Sequence, residues 1–369
     1  MARSWRGATG LRVAGAFFGL FALGACARAD STDEPVGRTS AAILGGTPSD
    51  ATDDAVVMLV FLDESTNFRG ICTAALVAPR LVLTARHCVA DTDADVACSV
   101  DGTPASGGVV KANHDPRSLY VFTGKDRPDL DPKTWKPAGR GVEVLDDGAR
   151  NLCNHDLALV LLEQPISSAP IASLRLEGTA DVGERLTTVG WGVTSTADEP
   201  ASRQRRSGVL VTRVGPDATD PVLTPSELAF DESICLGDSG GPVFSERSGA
   251  IIGVVSRGGN GTAGGSSLAS TCTKATNLAT EVSPFKELLA RGFARAGAEA
   301  KLEPAKEEPS SGCTLAPSRR GGRGASTWPI GSLAAAALGL VLRTVAHIRR
   351  RRGIAGPRSM AIRCQRGDG

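Results

Sequence analysis

Between about Ile43 and Arg291 the chain alternates short apolar runs with clusters of glycine, proline and aspartate. The runs AVVMLVFL (Ala55 to Leu62), CTAALVA (Cys72 to Ala78), LVLTA (Leu81 to Ala85), LALVLL (Leu157 to Leu162), LTTVGWG (Leu186 to Gly192) and AIIGVVS (Ala250 to Ser256) are rich in valine and leucine. Each predicts a strand, and their recurrence has the spacing of a sandwich or barrel. Only after Ser283 does the period change. SPFKELLARGFARAGAEAKL sets leucines and phenylalanine three to four residues apart, behind a serine cap and a proline at the first helical position. That pattern predicts a helix over 283–302 that closes the domain. The stretch Asp91 to Gly141 is rich in Asp, Pro and Gly and long for a loop, so it reads as an insertion. Glu303 to Ser326 reads as a flexible stalk.

Composition agrees with this picture. The 44 glycines, 21 prolines and 4% aromatics point to many turns and few long helices, as in an all-β protein. A length of 369 residues fits one two-lobed β domain with appendages as well as it fits two ordinary domains. Acidic and basic residues nearly cancel to a formal charge of +1, which argues against a nucleic-acid partner met through a broad basic face.

The two ends read as export and anchorage. MARSWRGATGLR carries three arginines ahead of the apolar run Val13 to Ala25, which is too short to span a bilayer comfortably. Two processing sites are open: a small-x-small site after Ala29, and LGAC ending at Cys26, which resembles the lipobox of bacterial lipoproteins. Trp328 to Ile348 is long enough, at about 31 Å as a helix, to cross a core of about 30 Å. Its one charge, Arg343, lies near the end, and the cluster Arg349 to Arg352 follows as a positive-inside stop. With SGCTLAPS (Ser311 to Ser318) ahead of it, this end resembles the MYXO-CTERM sorting tail of myxobacterial surface proteins, which implies Cys313 as the lipidation and processing residue and a sorting protease as a partner. A plain membrane anchor is the alternative.

Nine cysteines in an exported chain favour disulfides over metal sites, and none has C-x-x-C spacing. The odd count leaves at least one outside any intramolecular bridge, and Cys26, Cys313 and Cys364 are the natural candidates.

GDSGG (Gly237 to Gly241) places a serine in a Gly-x-Ser-x-Gly frame, which two unrelated hydrolase architectures share. Chain order separates them. In α/β-hydrolases the histidine follows the serine, yet here only His347 does, inside the apolar C-terminal segment. His87, His114 and His155 all precede Ser239, which fits the order His, Asp, Ser. TARHC (Thr84 to Cys88), HDLALV (His155 to Val160) and GDSGGP resemble the three active-site motifs of chymotrypsin- and trypsin-like serine proteases, the S1 family; the first departs from the usual TAAHC at Arg86. ILGG at Ile43, GWG at Gly190 to Gly192 and GVVSRG at Gly253 to Gly258 agree.

The resemblance implies an all-β fold of two antiparallel six-stranded β-barrels with a C-terminal helix and a catalytic cleft between them. The organisation is then a signal peptide over 1–29, a pro-segment over 30–42, the protease domain over 43–293, a linker over 294–327, a transmembrane helix over 328–348 and a basic tail over 349–369. The resemblance also implies disulfides Cys72–Cys88 and Cys235–Cys272, which leave Cys98 and Cys153 to pair and pin the insertion.

His87 would be the general base, Asp156 its orienting acid and Ser239 the nucleophile, with the N–H groups of Gly237 and Ser239 as the oxyanion hole. His155, beside Asp156, reads as pointing away along the strand, and His114 as a loop residue. Ile43 and Asp238 match the pair that activates the family's zymogens, which implies a cut between Ala42 and Ile43. Ala42 is not Lys or Arg, so a trypsin-like activator is not expected; another protease, or self-processing, is implied. Ser233 would stand on the floor of the substrate pocket, with Ser256, Arg257 and Gly258 on its wall; with no anion at Ser233, an apolar or aromatic P1 side chain is expected.

The partners are then a protein or peptide substrate, the activating and sorting proteases and a membrane. No metal or organic cofactor is called for. The location is the exported cell envelope or outer surface, or release from it. Two rivals are a non-catalytic surface binding module on a protease scaffold, and the same fold cutting esters or passing acyl groups to other acceptors.

Overall fold

The computed structural model describes residues 42–304 except 64, 66–67, 94, 196 and 260–267. These belong to the first of two compact units, Met1–Glu307; the other, Glu308–Gly369, lies outside the described residues. Outside them too are the expected signal peptide, residues 30–41 of the pro-segment, the segment 328–348, the basic tail, and Cys26, Cys313 and Cys364. Among the described residues no helix is long and apolar enough to cross a membrane.

The valine- and leucine-rich runs form the first of two barrels. Its strands are Val56–Asp63 (β1), Phe68–Ala78 (β2), Leu81–Thr84 (β3), Leu119–Phe122 (β4), Gly139–Leu145 (β5) and Ala158–Leu162 (β6). They pair antiparallel in the order β5-β6-β3-β2-β1-β4 and close on themselves. β3 and β6 are buried along their whole length. A continuous apolar run is what such a strand needs, because one face fills the barrel and the other lies under the rest of the molecule.

The second barrel comprises Arg185–Gly190 (β7), Gln204–Val214 (β8), Glu227–Phe230 (β9), Pro242–Ser245 (β10), Ile251–Gly259 (β11) and Thr276–Glu281 (β12). Its order is β8-β7-β10-β11-β12-β9, closed by the β8–β9 pairing. Strand for strand, this repeats the pairing of the first barrel. Closure leaves neither barrel with a free edge on which another chain could pair.

The helix that follows is shorter than its sequence pattern. Ser283–Phe285 forms a 3₁₀ turn, and the α-helix runs Lys286–Ala296 (α1), with no side-chain cap at its start. Gly297, at φ +64°, ends it, in a left-handed conformation that a residue with a Cβ adopts only at a cost. Leu288, Leu289 and Phe293 join Leu81, Leu83 and Leu159 in one buried cluster, so α1 covers the first barrel although it follows the second in sequence. The chain beyond it belongs to the domain rather than to a linker starting at 294. Leu174 N–H donates to Lys301 O at 2.8 Å, and Glu303 N–H donates to Leu174 O at 2.8 Å. Arg175 is paired with Glu184 at 2.8 Å and Glu303 at 2.6 Å.

The stretch 91–141 is only partly an insertion, because it contains β4, a fully buried strand of the barrel wall. The true excursion folds as two small ladders, Ala90–Thr92 with Val110–Asn113 and Val96–Cys98 with Pro104–Gly107. His114, at its end, stacks on Phe61 with ring centroids 3.6 Å apart.

Candidate active site

Register brings the histidine and aspartate together. Thr84, the last residue of β3, faces Ala158, the first of β6. His87 stands three residues beyond the one and Asp156 two before the other. His87 lies in a 3₁₀ turn, Arg86–Cys88, anchored by the Cys72–Cys88 disulfide to β2. Its ring Nδ1 is 2.8 Å from Asp156 Oδ2, and its backbone N–H donates to Asp156 Oδ1 at 2.9 Å. Ser256 Oγ donates a further bond to Asp156 Oδ2 at 2.6 Å.

Burial disfavours the charged form of both groups, but their mutual attraction and hydrogen bonds outweigh it. The imidazole of His87 is therefore shifted above its ordinary value, although Arg257 works against this, and the Asp156 carboxyl is shifted below its own. The arrangement holds an ionised carboxylate against one ring nitrogen.

The segment carrying Ser239 joins β9 to β10 in the second barrel. Cys235–Cys272 ties it to the connection between β11 and β12. Gly237 sits at φ +101°, and a Cβ there would come within 3.0 Å of Gly192 Cα. The N–H groups of Asp238, Gly240 and Gly241 are bonded to Cys235 O, Val255 O and Asp238 O. Among the described residues those of Gly237 and Ser239 donate to no protein acceptor.

Thr73 of β2 reaches across from the first barrel and holds this turn. Its N–H donates to Ser239 O at 2.8 Å, and its hydroxyl donates to Gly237 O at 2.8 Å and accepts from Trp191 N–H at 3.1 Å. Nothing in the linear motifs marks Thr73, since the contact spans 164 residues of sequence.

His87, Asp156 and Ser239 line one cleft of about 390 Å³. Its apolar wall includes Leu152, Ile234, Val255 and Ala275, and the insertion contributes Thr92, Asp93 and Val96. The Cys98–Cys153 disulfide fastens that insertion beside Asp156. Ser256, Arg257 and Gly258 line the cleft, whereas Ser233 does not. Ser233 is fully buried and, among the described residues, its hydroxyl has no partner; Ile234 and Cys235 face the cleft in its place. The guanidinium of Arg257 is bound to Glu227, at 2.5 and 3.1 Å, and so is not free for a substrate carboxylate. Glu227 is fully buried on β9, and only the closed barrel identifies it as that partner.

Among the described residues no hydrogen bond or ion pair joins Ile43 to Asp238. Ile43 is buried in the turn Ala42–Gly45, which packs on β8. Asp238 accepts from Gly192 N–H at 2.8 Å and Cys235 N–H at 2.9 Å, and among the described residues it meets no cation. Burial pushes its carboxyl up to about 7 despite those two donors.

Cys72, His87 and Cys88 present their ligand atoms within 4.8 Å of one another, but both sulfurs are spent in a disulfide. They form no metal-ligating set.

Cercarial protease of Schistosoma mansoni is 26% identical to this chain over 208 residues, 54% of this chain and 74% of its own length. Seminase of Drosophila melanogaster is 29% identical over 213 residues, 54% of this chain and 66% of its own. The solved structure of mouse neuropsin, described as a serine protease, superposes with a TM-score of 0.48 at 17% identity, over 68% of this chain and 99% of that one. A family model described as Trypsin matches residues 43–282, the span of both barrels. The chain belongs to the trypsin family of serine proteases.

Proposed function

We propose that this protein is an exported serine endopeptidase that uses His87, Asp156 and Ser239. The observation that carries the reading is the His87–Asp156 pair, 2.8 Å between Nδ1 and Oδ2, lining one cleft with Ser239. Ser239 Oγ attacks the scissile carbonyl carbon while His87 Nε2 takes its proton. Asp156 keeps the ring in the tautomer that accepts at Nε2 and stabilises the imidazolium. Negative charge gathers on the carbonyl oxygen, for which the N–H groups of Gly237 and Ser239 are uncommitted donors. His87 returns the proton to the leaving amine, and water then releases the acyl group by the same route.

The lining of Ile234, Val255 and Ala275, with Arg257 neutralised by Glu227, supports an apolar or aromatic P1 side chain. The unpaired, buried Asp238 supports a zymogen activated by a cut between Ala42 and Ile43, whose new ammonium group would give that carboxylate its partner. Three disulfides fit an oxidising, extracellular setting. Attachment at the envelope, through Cys26, Cys313 or the segment 328–348, is read from sequence.

The test is fluorophosphonate labelling of the full chain with a specific protease site engineered ahead of Ile43, before and after cutting. Label on Ser239 only after cutting is the expected result. No label in either state would replace this reading with the non-catalytic surface module.

A further inference from the structure

The loop after β5 carries two consecutive aspartates, and each grips the residue immediately before a proposed catalytic one. Arg86, which precedes His87, is paired with Asp146: Nη1 lies 3.0 Å from Oδ2, with the side chains only 7% and 13% exposed. Asn113, at the end of the insertion, completes a triangle, accepting from Arg86 Nη1 and donating through Nδ2 to Asp146 Oδ2 at 3.1 Å. His155, which precedes Asp156, has Nδ1 2.6 Å from Asp147 Oδ2.

The other oxygen of each carboxylate holds the loop itself. Asp146 Oδ1 accepts from Gly148 N–H at 2.7 Å, and Asp147 Oδ1 accepts from Ala149 N–H at 3.0 Å. Arg291 on α1 adds a bond to Asp146 O at 3.1 Å.

We propose that Asp146 and Asp147 form one clamp that sets the spacing of His87 and Asp156, acting as positioning residues through Arg86 and His155; the proposal rests on the protease reading above. Neighbouring Cα atoms are about 3.8 Å apart, so one loop fixes both grips relative to each other. The ladder between β3 and β6 ends at Thr84 and Ala158. Beyond it the two turns share this loop as an anchor, beside the His87–Asp156 bonds and the insertion, which pairs with Ala90–Thr92 and is fastened by Cys98–Cys153 near Asp156. It also gives Arg86 a purpose: a buried cation in the histidine turn needs a fixed anion, and Asp146 supplies it. His155 points to that loop, not idly away from the site.

The test uses the full chain, cut at the engineered site, and measures fluorophosphonate inactivation of Asp147→Ala, His155→Ala, His155→Gln and Asp146→Ala. The limiting inactivation rate separates positioning from binding, and thermal melting reports the fold. Asp147→Ala and His155→Ala should each slow the limiting rate about tenfold with half-saturation unchanged, a part of the ~100-fold that a 1 Å misplacement can cost. His155→Gln, which can still donate to Asp147, should recover most of the rate. Asp146→Ala strands a buried cation and can fail to fold, so the judgement rests on the partly exposed His155–Asp147 pair. An unchanged limiting rate, a change in half-saturation alone, or a loss that tracks the folded fraction would overturn the clamp while leaving the protease reading intact. A parent chain that takes no label overturns both.

Discussion

Asp238→Asn in the full-length chain isolates the electrostatic cost of a buried carboxylate that meets no cation among the described residues. Asp238 is 1% exposed, and burial raises its carboxyl from 3.8 to about 7, opposed in part by the Cys235 and Gly192 N–H donors. Between those values the folded chain holds a proton that the unfolded chain has released, so folding stability declines as pH rises. About three pH units at 1.36 kcal/mol each give about 4 kcal/mol lost by pH 8. The amide cannot ionise, and like the protonated acid it accepts from only one of the two donors. D238N should therefore match its parent near pH 4 and exceed it by up to about 4 kcal/mol at pH 8, with the decline flattened.

The assay is urea unfolding from pH 4 to 8, followed by tryptophan fluorescence, in chains carrying Ser239→Ala to prevent self-digestion. Parallel pH curves for D238N and its parent, or a less stable D238N at pH 8, would refute the reasoning. In a chain cut ahead of Ile43 the proposed activation predicts the reverse sign, because the substitution would leave the new ammonium group buried without its anion.

Thr73→Val keeps the shape but strands Gly237 C=O and Trp191 N–H, so it should cost about 1–3 kcal/mol for each group in a denaturant titration and slow labelling of Ser239. Arg257→Met leaves the fully buried Glu227 unpaired and should destabilise by about 3–5 kcal/mol, with much of the loss recovered when Glu227 is also made Met; a melt of the single and double variants checks it. Removing Cys98–Cys153 by paired Cys→Ser changes opens a crosslink spanning 55 residues and should cost about 4 kcal/mol by loop-closure entropy, read as a lower urea midpoint. On the proposed mechanism labelling needs neutral His87; burial lowers its pKa, but the Asp156 carboxylate outweighs this and raises it, so the rate of labelling should rise with pH through a midpoint above that of a free imidazole.

Much of the fold and of the candidate site is legible in the sequence. The strands that are continuous apolar runs, β1, β3 and β6, announce themselves because they are buried on both faces. The motifs around His87, Asp156 and Ser239 are short and local, so their order along the chain was enough to choose an architecture. Other elements carry weaker marks. β8, QRRSGVLVTRV, is rich in arginine and alternates buried and exposed positions only over 209–212, and β4 is four residues inside a polar stretch. Each became a strand because a closed barrel supplies partners for its N–H and C=O groups, which outweighs local preference.

What the sequence determined by itself is the chemistry available: a histidine, an aspartate and a serine in protease order, glycines where the nucleophile's turn needs them, and cysteines enough to staple the insertion. Only the tertiary structure decided where those groups point and what holds them. Ser233 turned inward, Arg257 was neutralised by a glutamate on another strand, Thr73 crossed between barrels to grip the serine's turn, and Asp146 and Asp147 came up behind His87 and Asp156. The physical reason is the same in each case. A buried charge or polar group must find its partner in space, and barrel closure brings together residues that lie tens to hundreds of positions apart, where no local pattern records the pairing.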